Sequence, residues 1–483
     1  MLACLHKLKS PPRLPFSVSR LIMARGLSID ISPPVHRGMK ELDKSAFCTS
    51  VTVLAAKVPP AKAGKLLAAN ELKTLLLGLK RVKSVVPLED GNRLVLLGCQ
   101  EQGELPPEAQ EYLKQESAEI VPHKLDLDYD YWIADDILAS ILPEELVEEA
   151  PSGFASVGHI AHLNLKAEYL PYKHIIGQVI LDKNAGHIRS VVNKTSTIDT
   201  KYRVFKMELL AGESDFIVCH HEQNCQFTFD FSEVYWNSRL HTEHGRLVDS
   251  FKPEDVVADV FAGVGPFAIP AAKRGCGVFA NDLNPASYKY LKQNVKDNKV
   301  TELVRPFCED GRSFIRSVFN RAFDGPFRDP PPKKNSAQLR QERRKKFQEE
   351  RERKRSPERF YSSPPPAPRR RRITQFAMNL PESAIEFLDG FRGVLASANG
   401  GERALSGLYG AEDSEAMPMI HCYCFTRELE PEKAEIDIRQ RVEDKLEHSL
   451  GQETSYHWVR SVAPNKEMYC ISFRLPHAVA FAA

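Results

Sequence analysis

Residues Val256 to Lys273 read VVADVFAGVGPFAIPAAK, and no other stretch constrains the fold as tightly. An apolar run passes through Asp259 into Val260-Phe261-Ala262-Gly263-Val264-Gly265, and a helix-compatible segment follows. Gly263 and Gly265 let backbone N–H groups approach a ligand closely, and the helix N-terminus behind them adds a partial positive charge. Strand, glycine turn and helix in this order predict an α/β unit with a ligand at the carboxyl end of a strand.

The next segments narrow the ligand. Gly277 to Asn281 predicts a second strand, ending in Asp282-Leu283-Asn284-Pro285, a carboxylate about nineteen residues after Gly263 and suited to both hydroxyls of a ribose. Asp259 stands before the first glycine, where it would repel a pyrophosphate but face the amino group of a methionine moiety. A third strand-like stretch, Val304 to Cys308, ends in Glu309-Asp310-Gly311, placed to meet an adenine amine. These acids select S-adenosyl-L-methionine over a dinucleotide. A dehydrogenase fits less well, because Ala268 holds the place expected for a third glycine.

A chain of 483 residues with 42% hydrophobic content predicts two or three domains. No apolar stretch is long enough to cross a membrane, and ten scattered cysteines without a CxxC pair suggest neither a metal site nor a disulfide framework. Net charge is +2, yet residues 328–372 alone hold 17 Lys or Arg against 6 Asp or Glu. Any nucleic-acid surface is therefore local. Lys7, Lys9, Arg13, Arg20 and Arg25, with no acid before Asp30, give residues 1–37 the composition of a mitochondrial transit peptide, and Met23 offers a second start. The expected locations are the mitochondrial matrix, nucleus and cytoplasm.

Four segments follow from composition and periodicity. After the tail comes a small N-terminal α/β domain (38–118), with a helix from Pro60 to Leu77. A middle mixed α/β domain (119–250) has strands at Ile175 to Asp182, Ile188 to Lys194, Lys206 to Leu210 and Cys225 to Asp230. Its Lys166, Lys173, His174, Lys183, Arg189, Lys194, Lys201 and Arg203 suggest an RNA-facing surface or, equally, a solvated sheet face. The Rossmann-like domain (251–483) carries a basic low-complexity insert at 325–372, expected to be disordered, with a charged helical run from Ser336 to Arg355.

Gly158-His-Ile-Ala-His-Leu-Asn164, Tyr202-Arg203 with Glu208-Leu-Leu-Ala-Gly-Glu213, Val234-Tyr-Trp-Asn-Ser-Arg-Leu-His-Thr-Glu243, the glycine loop and Asn379-Leu-Pro381 together resemble the archaeal and eukaryotic tRNA (guanine-N1)-methyltransferase family. The resemblance spans roughly residues 38 to 475 outside the insert. It implies an S-adenosylmethionine-dependent methyltransferase domain preceded by a middle RNA-binding domain and a small N-terminal domain that checks the tRNA. The implied substrate is guanosine 37 of tRNA, modified by a monomeric enzyme without a metal.

Matched to the family motifs, Glu243 falls on the general base, Arg203 on the group that holds charge on O6, and Tyr235 on a residue that steadies the target base. Cofactor contacts fall on His244, Asp259, Gly263, Gly265, Asp282, Leu283, Asp310, Gly311 and Asn379, and substrate contacts on Asn379 and Pro381. Archaeal members often carry Arg where His244 stands. The chemistry agrees: N1 of guanine bears a proton at neutral pH, so a carboxylate and a cation are the minimal set. Glu243 also suits a helix cap or salt bridge, and Arg203 a surface pair with Glu208. Tyr235, Trp236 and Phe261 are candidate stacking walls for a base taken out of the loop, though such aromatics are more often core. The competing readings are an aminocarboxypropyl transferase of the wybutosine pathway acting at the same position, and a catalytically silent RNA-binding factor.

Overall fold

The computed structural model describes residues 21–24, 27–198, 202–329, 369–396, 403–410 and 416–482. The tail before Leu21, Lys201 and the insert from 330 to 368, with its expected helical run, lie outside these residues. The chain forms two compact units: residues up to Thr195 with Met207–Asp215, and Ser196–Lys206 with Phe216–Ala483. The segment expected as a middle domain, 119–250, is thus shared between the two.

In the first unit, β1 (Leu21–Ala24) and β2 (Leu27–Asp30) form an antiparallel hairpin. Ile29 and Ile31 are buried in the core and the Trp132 indole donates to the Ile31 carbonyl at 2.7 Å, so the expected tail ends well before residue 37. The long strand β3 (Thr49–Val58) pairs with both β5 (Arg93–Leu96) and β6 (Glu119–Leu127), and β4 (Val85–Pro87) completes the order β4-β5-β3-β6. Helix α1 (Pro60–Ala68) stops short of the expected Leu77, because three-residue turns, Leu72 N–H to Ala69 and Leu75 N–H to Leu72, replace it. Helix α2 (Pro107–Gln115) also starts at a proline, where a missing N–H costs nothing.

Beyond α3 (Ala134–Ile141), strands β7 (Ala155–Val157) and β8 (Ile160–Leu163) precede α4 (Lys173–Lys183), and β9 (Ser190–Ile198) and β10 (Phe205–Gly212) complete a sheet of order β10-β9-β8-β7. Here the strand expected from Ile175 to Asp182 is instead α4. Its β-branched residues argue for a strand, but Ile175, Ile176, Val179 and Ile180 lie on one helical face and all are buried. Gly177 permits the close approach, since a Cβ there would lie 2.6 Å from the Leu210 side chain.

The expected RNA-facing cations are mostly engaged within this unit. Lys166 pairs with Glu149, Lys173 with Glu208 at 2.5 Å, and Arg189 with Asp215 at 3.1 Å. Lys183 lies 3.6 Å from the Tyr129 ring centroid and donates to that residue's carbonyl. Three of the eight expected cations, Lys166, Lys173 and Arg189, are thus paired in this unit with acids not adjacent in sequence.

The second unit opens with the hairpin β11 (Ile217–Glu222) and β12 (Cys225–Asp230), then α5 (His241–Ser250). Strands β13 (Val256–Asp259), β14 (Gly277–Asn281) and β15 (Val304–Phe307) alternate with α6 (Ala268–Lys273), α7 (Pro285–Asp297) and α8 (Gly311–Asp324). After them, β16 (Phe327–Arg328) pairs with β17 (Arg369–Arg370), and the sheet resumes with β18 (Gln375–Met378), β19 (Met419–Thr426), β20 (Ser455–Ala463) and β21 (Lys466–Arg474). The order is β15-β14-β13-β18-β19-β21-β20, with β13, β14, β15, β18 and β19 parallel and β21 antiparallel to both its neighbours. Connections run one way from β13 to β14 and β15 and the other way from β18 to β19. Between β13 and β18 the winding reverses, and the carboxyl ends there form the crevice in which ligands of open α/β sheets sit.

The insert is narrower than 325–372. Phe327 is buried against Gly277, where an added Cβ would lie 2.4 Å from its ring, and Arg370 is 9% exposed. The Arg370 guanidinium donates to the carbonyls of Pro253, Asp255, Gly275 and Arg328. Composition alone could not separate this structural arginine from the basic run beside it. Joining residues 329 and 369 by a short turn is expected to leave melting temperature and activity unchanged, whereas Arg370→Ala, which strands buried carbonyls, is expected to cost about 1–3 kcal/mol. Thermal melts of both variants check this.

Candidate active site

At the reversal of winding, Asp259 ends β13 with Ala280 on one side and Ala377 on the other. These small neighbours leave its carboxylate 0% exposed, and neither oxygen has a hydrogen-bond partner. Burial, then the nearby Asp282, pushes its pKa up to about 8; the Phe261 backbone N–H opposes this without reaching hydrogen-bonding geometry. A buried carboxylate without a partner is costly.

The glycine loop turns over this carboxylate. Gly263 has φ 54° and Gly265 φ 105°, both left-handed, and a Cβ on Gly265 would lie 2.8 Å from Ile269. Asp282 follows β14 and accepts from the Gly263 and Asn284 N–H groups at 2.8 and 2.9 Å. Burial raises its pKa, and those two N–H groups hold it back. Leu283 beside it is 41% exposed, an apolar surface at the rim. Asp310 caps α8, its Oδ1 accepting from the Arg312 and Ser313 N–H groups, and Gly311 keeps space for Phe261 and Phe387, whose rings a Cβ would meet at about 3 Å. Sequence reasoning missed Asn281, whose amide donates to the Val260 and Glu309 carbonyls while its Oδ1 accepts from the Glu309 N–H, tying the three loops together. A buried polar residue at the end of an apolar strand was the available signal.

Glu243 lies on the first turn of α5 and is 5% exposed. Both carboxylate oxygens are occupied. Arg246 grips it through Nε and Nη2 at 2.7 and 2.6 Å, the Tyr423 hydroxyl donates at 2.8 Å, and His457 Nε2 lies 3.2 Å away. The salt bridge allowed for by the sequence is therefore present, to the residue three places on. Tyr423 lies on β19, and Met378, the last residue of β18, pairs with Cys422, so Asn379 and Tyr423 each directly follow a paired position. Asn379 Oδ1 is buried without a partner. The Pro381 carbonyl accepts from the Phe425 N–H at 3.1 Å, which fixes the Asn379-Leu380-Pro381 loop to β19.

His244, next along α5, is 3% exposed; its Nδ1 lies 2.5 Å from Glu222 and its ring sits edge-on to Phe267 of the glycine turn, centroids 4.8 Å apart. Arg203 has φ 60° and pairs with Glu382, just past Pro381, at 2.5 Å rather than with Glu208, which holds Lys173. Arg203 is thus tied to Glu382, just past the Asn379 loop, and Glu243 to Tyr423 on β19. Tyr235 is 44% exposed and keeps a face available. Trp236, by contrast, is 5% exposed, packed among Phe227, Phe229, His220 and His244, and is core rather than a stacking wall. Phe261 packs edge-on against Phe387. Among the described residues no His, Cys, Asp and Glu side chains cluster as metal ligands.

Comparison with known proteins places this geometry. Residues 218–324 match the TRM5/TYW2 methyltransferase domain and residues 134–215 the TYW2 N-terminal domain. A tRNA (guanine(37)-N(1))-methyltransferase of Coprinopsis cinerea is 56% identical over 461 residues, covering 95% of this chain and 98% of that protein. The proteins of that name from Schizosaccharomyces pombe and Saccharomyces cerevisiae are 45% and 42% identical over 92% of this chain, covering 96% and 94% of their own lengths. In fold, the chain resembles Trm5b from Pyrococcus abyssi (TM-score 0.52, 23% identity, 87% of this chain and 99% of that one). It likewise resembles aTrm5 solved in a complex with tRNALeu (TM-score 0.55, 18% identity, 88% and 100%). With full-length relatives at this identity and a catalytic sheet of the same architecture, the chain belongs to the tRNA (guanine(37)-N(1))-methyltransferase family.

Proposed function

We propose that the crevice binds S-adenosylmethionine, with Asp259 receiving its ammonium, Asp282 the ribose hydroxyls, Leu283 and Asp310 the adenine, and His244 and Asn379 completing the contacts. Bound there, the sulfonium compound supplies the methyl group. Glu243 then takes the N1 proton of guanosine 37 in tRNA as the methyl is transferred, Arg203 holds charge on O6, and Asn379, Pro381 and Tyr235 steady the base. One observation carries the reading: a buried carboxylate, Glu243, is hydrogen-bonded to Tyr423 of β19, the strand that pairs with β18 just before Asn379.

For Arg203 to reach a base it must leave or share Glu382, whose side chain is 56% exposed and so is cheaply released to water. Transfer of labelled methyl to a transcript with guanosine 37, and not to one with adenosine there, recovered as 1-methylguanosine, is the expected result. A nucleoside enlarged by an aminocarboxypropyl group would replace it with the wybutosine-pathway reading.

The Asp259 assignment has its own check. With a pKa of about 8 this carboxyl is mostly protonated at pH 7, and it must ionise to receive an ammonium. Binding is expected to release close to one proton at pH 7, read from calorimetry in buffers of different ionisation enthalpy. The locations expected from the N-terminus remain part of this proposal; a start at Met23 retains Ile29 and Ile31, which pack in the core, and removes Leu21 and Ile22 of β1.

A further inference from the structure

Glu243 is 5% exposed, so a proton taken from the substrate has no direct way to bulk water. Three side chains touch the carboxylate, and they differ in what they can pass on.

The Arg246 guanidinium has no lone pair to accept a proton, and its pairing with Glu243 raises its pKa further. The Tyr423 hydroxyl is 0% exposed and burial holds its pKa well above the ordinary range, so it orients the carboxylate but leads nowhere. His457, from the sheet-edge strand β20, places Nε2 3.2 Å from Glu243 Oε2 while its side chain remains 45% exposed. Burial, then Arg246, depress its pKa below the usual imidazole value, with Glu243 opposing, so at pH 7 it is neutral and one ring nitrogen can accept a proton. The charged groups facing it are Glu243 and Arg246 from α5. Across the ladder on β21 stands Cys470, whose thiol is pushed up to about 12 by burial and stays uncharged.

We propose that His457 carries the proton from Glu243 to solvent, a positioning residue that resets the base between turnovers. This rests on Glu243 being the base. As the N1–methyl bond forms and the sulfur–methyl bond breaks, the N1–H bond breaks and a Glu243 O–H bond forms. That O–H bond then breaks as His457 Nε2 gains the proton. The imidazolium loses its Nδ1 proton to water, and exchange with solvent restores the starting tautomer.

The relay acts after chemistry, which separates it from a structural role. His457→Gln keeps a donor beside Glu243 but cannot pass a proton on. In rapid-quench assays the first turnover is expected to slow far less than later ones, giving a burst of about one product per enzyme and a steady-state rate lower by on the order of tenfold or more. Imidazole is expected to restore the steady state of His457→Ala. A wild-type steady state in His457→Gln overturns the relay, as does an equal fall in first and later turnovers without imidazole rescue. Glu243→Gln, run in parallel, distinguishes the two failures. A full-speed first turnover in that variant removes the base assignment and the relay with it; a slow one leaves the His457 result to decide.

Discussion

Glu243→Gln is expected to lower the rate of methyl transfer in the first turnover by roughly 10²–10⁴-fold, the range typical of a lost general base. Affinity for tRNA and for the cofactor should change little, because the proton is shared only in the transition state. The variant is nearly isosteric and keeps one carbonyl oxygen for the Arg246 and Tyr423 donors, but it cannot satisfy Arg246 through two oxygens. A modest loss of stability, about 1–3 kcal/mol, is therefore expected alongside, and a melting curve measures it separately. Equal losses in affinity and rate would make Glu243 a structural anchor of α5. The assays are filter binding for tRNA, calorimetry for the cofactor and rapid quench for the chemistry.

Asp259→Asn is expected to act in opposite directions on stability and binding. Its folded pKa of about 8 lies above the ordinary aspartate value of 3.8, so between those values the folded chain holds more protons than the unfolded one. Stability then falls as pH rises, and this group's burden is absent below about pH 4 and fully developed above about pH 8. The free protein should lose on the order of a few kcal/mol across that window, and Asn, which never ionises, should abolish the loss. At pH 8 the variant should melt above the parent, and at pH 5 the gap should narrow. Cofactor affinity should fall by about 2–5 kcal/mol, the cost of removing one partner from a buried charge pair. A variant less stable than the parent at pH 8 would show that Asp259 serves the fold.

Local signals were legible where neighbours in sequence are neighbours in the site. The glycine turn, Asp259 and Asp282 lie within one strand–helix–strand unit, and the Asp282 to Gly263 bond spans 19 residues. Arg246 sits three places from Glu243 and could be read as its salt bridge. Tyr423 lies 180 residues from Glu243 and Glu382 lies 179 from Arg203, and neither pairing leaves a trace in periodicity. Both pairings are made by tertiary packing alone. The misreading of α4 as a strand has a different origin: isoleucine and valine favour strands in isolation, and the tertiary contact with Leu210 decides otherwise. Trp236 was open to either reading, since an aromatic next to a site can be its wall or its foundation until its packing is known.

The two-residue ladder of β16 and β17 leaves the catalytic sheet through a single doorway, with both jambs held by Phe327 and Arg370. Arg328 and Arg369 face each other across this ladder, so a change of length between them is expected to leave β13 and β18 in place. The doorway is a natural point of entry for a tag, a fluorophore or a fused domain that must report on this enzyme without altering what it does.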